Sequence, residues 1–224
     1  MPTPAAPPQL AAQLVRADAA RVTVASAYAV QTIELRLSDD PALAARVIRL
    51  LPSALARDVT DDVLAHRELA RLTPPRPLSA FRPGPAAAAA KLRAWYAEAQ
   101  RRSGVPWQLL AAVNFVESDF GRMREASVAG AQGPMQFMPS TWASYGRGDV
   151  HDPHASILAA ARFLRAAGAL ADERGALYRY NPSPAYVDAV ERYADRIRRS
   201  ERAFAQYYAR PLVVRTPMGY RRLP

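Results

Sequence analysis

The stretch from Gly104 to Trp142, GVPWQLLAAVNFVESDFGRMREASVAGAQGPMQFMPSTW, constrains this chain more than any other. Leu109, Leu110, Val113 and Val116 recur at helical spacing behind Pro106, a residue suited to a first helical turn. Glu117 lies four residues beyond Val113 and so continues the apolar stripe. A carboxyl group in that setting is desolvated, which disfavours its charged form and raises its pKa. A glutamic acid held protonated near neutral pH can donate a proton to a leaving oxygen.

The residues after Glu117 strengthen this reading. Gly121 is expected to end the helix, and the loop beyond carries Ser127, Gly130, Gly133, Met135 and Gln136. Small residues let backbone approach a ligand closely, and Ser127 and Gln136 offer both donor and acceptor groups. Pro139-Ser140-Thr141-Trp142 reads as the start of a short new helix. The loop is therefore expected to form one wall of a groove for a polar, ring-shaped substrate.

Composition sets outer limits. At 224 residues the chain can bury a sizeable core, and its 50% hydrophobic content, much of it alanine, favours an all-α protein. Cysteine is absent, which excludes a disulfide framework and thiolate metal sites but does not place the chain in the cytosol. The formal net charge of +10 suits nucleic acid, an anionic membrane surface or an anionic cell wall alike. It is arginine scattered along helices, without a run of five like charges, and solvated helix faces explain it equally well. Met1 to Pro8 has no basic residue, Val22 to Val30 is too short and too far in for a leader, and no stretch reaches membrane-spanning length.

Read in order, residues 1–8 hold four prolines and are expected to be an extended or disordered lead-in. Residues 9–73 form a helical N-terminal segment, with β-branched Val22-Thr23-Val24 interrupting the first helical stretch and Asp40-Pro41 and Pro52-Ser53 as helix starts. Residues 74–85, with Pro74-Pro75-Arg76-Pro77 and Pro83-Gly84-Pro85, read as a proline-rich linker and domain boundary. Residues 86–200 form the second helical domain, and 201–224 a C-terminal extension in which Val213-Val214-Arg215 and Pro217-Met218-Gly219 suit a short hairpin.

Several conspicuous residues have a plainer reading. His66 has no nucleophile or ligand partner at useful spacing and reads as structural. Trp95, Tyr96 and Trp107 read as core, while Trp142 borders the proposed groove. Asp149, His151, Asp152 and His154 invite a metal site, but Asp152-Pro153 is also an ordinary helix start and two histidines do not close a coordination shell, so no metal or cofactor is expected. Tyr180-Asn181 precedes Pro182-Ser183-Pro184, a serine cap with proline at the first helical position, and is placed at an exposed helix junction.

Glu117-Ser118, the run Ser127 to Gln136 with Phe137-Met138-Pro139-Ser140-Thr141-Trp142 behind it, and Tyr180-Asn181 together resemble the signature blocks of lytic murein transglycosylases. These are the soluble lytic transglycosylase domains related to goose-type lysozyme. The resemblance spans roughly Ala86 to Arg199, and the whole chain is similar to secreted actinobacterial members. It implies a lysozyme-like all-α catalytic domain acting on peptidoglycan glycan strands, without a cofactor, in the cell wall or outside the cell.

The resemblance also implies roles. Glu117 would protonate the oxygen linking N-acetylmuramic acid to N-acetylglucosamine while the substrate's acetamido group assists. As carboxylate it would then take the proton of the C6 hydroxyl, closing a 1,6-anhydro ring without water. Ser127 would hydrogen-bond near the acetamido or C6 group, and Met135 and Gln136 would line the groove. Tyr180 would support Glu117, Asn181 would hold loop or substrate, and Ser118 would fix the helix end. The chain departs from the usual pattern at Arg179, where a small residue is common, and at Pro182-Ser183-Pro184, which bears on subsites rather than on the reaction.

Glycoside cleavage ordinarily uses two carboxylates. Asp119 is expected to point away from Glu117, and Glu125 lies in a stretch that looks mobile. A muramidase using water is nevertheless an open alternative. So is a non-catalytic cell-wall glycan-binding module, and charge alone motivates a nucleic-acid binder that no recognition motif supports. A monomer without stable membrane insertion is expected.

Overall fold

The computed structural model describes residues 5–224. Among them are eleven α-helices and one two-stranded antiparallel hairpin, so the all-α expectation holds. The N-terminal helices are α1 (Pro7–Ala19), α2 (Val24–Asp39), α3 (Pro41–Ile48) and α4 (Ser53–Leu72). No helix among the described residues is long and apolar enough to cross a membrane.

Local chemistry sets the breaks. The first four residues of the expected lead-in lie outside the described residues, whereas Pro7 and Pro8 open α1 instead of extending a disordered segment. Proline is tolerated there because the first N–H groups of a helix have no intrahelical partner. At Thr23 the side chain accepts from the Ser26 amide while Ser26 reaches back to the Thr23 amide, so the β-branched run becomes a capped start for α2. Asp40 caps α3 by accepting from the Leu43 amide at 2.9 Å.

The remaining helices are α5 (Ala89–Ser103), α6 (Trp107–Ser118), α7 (Pro139–Tyr145), α8 (Pro153–Ala166), α9 (Glu173–Tyr180), α10 (Pro184–Arg199) and α11 (Glu201–Ala209). The larger core gathers Leu92 and Tyr96 of α5, Leu109, Leu110 and Val113 of α6, Ile157 of α8 and Val190 of α10. A second apolar cluster joins α1 to α4 through Leu14, Leu37, Val47 and Val59. Tyr96 and Trp107 are buried in the larger core, while Trp95 stacks on His154 at 5.3 Å.

The segment read as a C-terminal extension divides. Its first part, α11, belongs to the larger core: Phe204 meets Tyr96, Trp107 and Phe120 edge-on. An aromatic side chain with that much area to bury is driven inward whatever its distance from the motif. The hairpin β1 (Val213–Thr216) and β2 (Gly219–Arg222) then buries Leu212, Val214 and Leu223 against Phe81 and Met123.

A buried charge network ties the N-terminal helices to the rest. Asp62 of α4 receives Arg196 of α10 and, at 2.8 Å, Arg210, and the Tyr207 hydroxyl donates to it as well. Arg210 also pairs with Glu34 of α2 at 2.6 Å. Groups this far from water are tolerated only when paired, and the pairing spans four elements far apart in sequence. Residues 74–85 run between the halves as a strap. Arg76 donates its amide to the Arg215 carbonyl, and Arg82 and Gly84 bond the backbone of Arg124 and Arg122.

Candidate active site

α6 delivers Glu117 one residue before its end, and the helix stops there for identifiable reasons. Asp119 and Phe120 take positive φ values of 49° and 61°. Ser118, rather than Gly121, is thus the last helical residue. Its Oγ donates to the Pro134 carbonyl at 2.5 Å and accepts from the Gly121 amide at 2.9 Å. Asn114, buried one turn earlier, donates to the same Pro134 carbonyl at 2.8 Å and accepts from Tyr96 at 2.6 Å. The loop after Glu117 is therefore pinned against the helix that carries it.

That loop is a tight ribbon. Gln132 and Phe137 exchange backbone hydrogen bonds across the Gly133–Gln136 turn. Gly133 has φ +74°, and a Cβ there would lie 2.1 Å from the Val150 carbonyl oxygen, so only glycine fits. Gln136 is held at φ +48° with its side-chain amide donating to the Gly133 carbonyl at 3.0 Å. The non-glycine residues with positive φ among those described, Asp119, Phe120 and Gln136, all border Glu117 or its loop. Concentrated backbone strain of this kind is typical of functional sites.

Glu117 is half-buried, and its Oε1 accepts from the Tyr186 hydroxyl at 2.7 Å. Among the described residues no other group hydrogen-bonds its carboxyl. Burial pushes Glu117 up to about 7, against the pull of the Tyr186 hydrogen bond, which favours the carboxylate. The Tyr186 ring lies parallel to that of Tyr180, 6.5 Å away, and Tyr180 packs edge-on against Phe163. Burial first, and the nearby Glu117 charge second, hold both tyrosines well above their ordinary pKa, so both remain neutral donors.

Some expected positions differ. Tyr180 is not at an exposed junction: its ring turns inward and its hydroxyl donates to the Met135 carbonyl at 2.6 Å, not to Glu117. The Met135 side chain is fully buried and does not line a groove, because the ribbon's alternation sends it to the core and leaves its carbonyl to Tyr180. Asn181 is half-buried at the end of α9, with its amide on the Leu177 carbonyl. Ser127 lies at the exposed loop tip, accepting from the Ala131 amide at 2.9 Å.

Asp119 and Glu125 are also more ordered than their sequence setting suggests. Asp119 pairs with Arg122 at 3.1 Å, yet burial still pushes it up to about 7. Glu125 accepts from the Arg82 amide at 3.0 Å and fastens the strap. Asp152 caps α8 at the Ala155 amide, and His154 hydrogen-bonds Glu98 at 2.9 Å. Sequence reasoning missed Tyr186 and Asn114. The first sits in an apolar stripe where a buried hydroxyl needs a partner, and the second is the single amide inside the apolar run of α6.

A helix-end carboxylic acid whose pKa burial raises, hydrogen-bonded by a tyrosine and followed by a pinned glycine loop in an all-α domain, is a lysozyme-like arrangement. Residues 95–202, a little under half of the chain, match the family described as the transglycosylase SLT domain. The chain is similar to a membrane-bound lytic murein transglycosylase F of Thiobacillus denitrificans, with 38% identity over 73 residues. That alignment covers 33% of this chain and 15% of the relative. No solved structure matches the chain.

Proposed function

We propose that this protein cleaves the β-1,4 bond between N-acetylmuramic acid and N-acetylglucosamine in peptidoglycan without water, leaving 1,6-anhydromuramoyl ends. The observation that carries the reading is Glu117 itself: half-buried, pushed up to about 7, and held by Tyr186 at 2.7 Å. In that state it is a competent acid near neutral pH toward the glycosidic oxygen. Having lost its proton it becomes the base that accepts the C6 hydroxyl proton, and the Tyr186 hydrogen bond stabilises that carboxylate. Both steps use one carboxyl group, and the proton returns to Glu117 at the end.

The placement of Asp119 supports a single-carboxylate reaction. Its side chain is held by Arg122 beyond the end of α6. A hydrolase would need a second group to activate water. Ser127, Gln136 and Asn181 are assigned to glycan binding. Ser118 and Tyr180 position the loop. The substrate places the protein at the cell wall.

Mass spectrometry of muropeptides released from purified peptidoglycan by the wild-type protein and by Glu117→Gln tests this. Products one water lighter than muramidase products, absent with Glu117→Gln, are expected. Reducing-end products would make the protein a muramidase. Retention on the insoluble wall with no release from either protein would leave a glycan-binding module.

A further inference from the structure

A cavity of about 310 Å³ opens between α2, α4, the 74–85 strap and the C-terminal hairpin, and the last turn of α6, Val116 to Asp119, forms one of its walls. Its volume falls in the range of small-molecule sites. Leu35, Leu69, Phe81 and Val214 supply apolar lining. Apart from α6, Met123 and Tyr193, its lining lies outside the matched residues 95–202. It is thus built by the parts of the chain to which the family match assigns nothing.

Its polar groups distinguish it from a packing defect. Seven buried side-chain atoms among the described residues have no hydrogen-bond partner, and five belong to residues lining this cavity. They are Gln31 Oε1, Glu34 Oε1, His66 Nδ1, Arg210 Nε and Arg215 Nε. Glu34 and Arg210 leave only 4% and 7% of their side chains exposed. Buried polar atoms are nearly always satisfied, so such a cluster around one cavity marks a place where water or a ligand completes the bonding.

The chemistry of the lining narrows the ligand. Arg210 is neutralised by Glu34 and Asp62. Arg215, by contrast, forms no ion pair with a carboxylate among the described residues and is free to take an anionic group. Gln31 and Glu34 offer acceptor oxygens to N–H groups, and the apolar wall accommodates a small aliphatic side chain. Carboxylate, amide and small side chain together are the elements of a peptide.

We propose that this cavity binds a short peptide, its carboxylate on Arg215, its amide groups facing Gln31 and Glu34, and a small apolar side chain among Leu69, Phe81 and Val214. That the peptide is one carried by the glycan strand under cleavage rests on the function proposed above, because the cavity and Glu117 share the last turn of α6. The N-terminal helices and the hairpin then serve to read the peptide substituent next to the bond being cut.

Calorimetric titration with L-alanyl-D-isoglutamine tests the site without relying on turnover. The wild-type protein is expected to bind it. Arg215→Gln and the cavity-filling Leu69→Trp should each weaken binding at least tenfold, with thermal melts confirming that both variants fold. On peptidoglycan, Leu69→Trp should raise KM for peptide-bearing strands more than for strands stripped by amidase. No binding to the wild type, or equal binding by both folded variants, overturns the peptide site and leaves a solvent-filled cavity. Peptide binding without glycan cleavage would overturn the proposed activity while leaving the peptide site standing.

Discussion

The Tyr186 hydroxyl lies 2.7 Å from Glu117 Oε1 and joins the first turn of α10 to the last turn of α6. The bond favours the carboxylate form and so opposes the burial that raises the Glu117 pKa. With Glu117 at about 7, the acid form is present below that pH and is lost as pH rises through it. The rate of glycan cleavage should therefore fall on the alkaline side of neutrality. Glu117→Gln should lower the rate at pH 6 by about 10²–10⁴-fold, the contribution typical of a positioned acid/base.

Tyr186→Phe removes a hydrogen bond to the ionised form. The Glu117 pKa should rise, shifting the alkaline limb of the kcat/KM profile upward by about one pH unit, which corresponds to about 1.4 kcal/mol. A profile that falls in amplitude but does not move would show that Tyr186 acts on packing alone.

Gly133→Ala should destabilise the loop. The added Cβ would meet the Val150 carbonyl oxygen at 2.1 Å at a φ of +74°, and backbone, not a flexible side chain, is the obstacle. A cost of about 1–3 kcal/mol follows, which for a chain of this size lowers Tm by about 2–10 °C. Gly130→Ala, with nothing near its missing Cβ, carries only the penalty of its own positive φ and serves as the comparison.

Asp62→Ala leaves Arg196 and Arg210 buried without their shared carboxylate. Removing one partner of a buried network costs about 3–5 kcal/mol. Chemical denaturation should show this loss. Glu68→Ala, at the exposed pair with Arg71, should cost less than about 1 kcal/mol.

His66 supplies a pH signature of stability. Burial, outweighing the nearby Asp39, depresses its pKa to about 4 from an ordinary 6.5. The unfolded chain therefore binds the extra proton first, so this contribution to stability is present above pH 6.5 and is lost as pH falls toward 4. Replacing His66 with Gln should flatten the dependence of unfolding free energy on pH across that window. An unchanged slope would mean that the histidine is as hydrated when folded as when unfolded.

The helical stripe of α6, the glycine-bearing loop behind it, the Asp40, Asp152 and Ser183 caps and the desolvated setting of Glu117 are all legible in sequence, because they rest on periodicity and on interactions within a few residues. Tertiary packing decided what distant segments contribute. It chose Tyr186 over Tyr180 as the partner of Glu117, 69 residues away. It drew Met135 and α11 into the larger core. It also bound Glu34 and Asp62 to Arg196 and Arg210 across α2, α4 and α10. A hydroxyl or guanidinium reveals its chemistry in the sequence, but which buried group it must satisfy is settled only when burial removes water as the alternative partner.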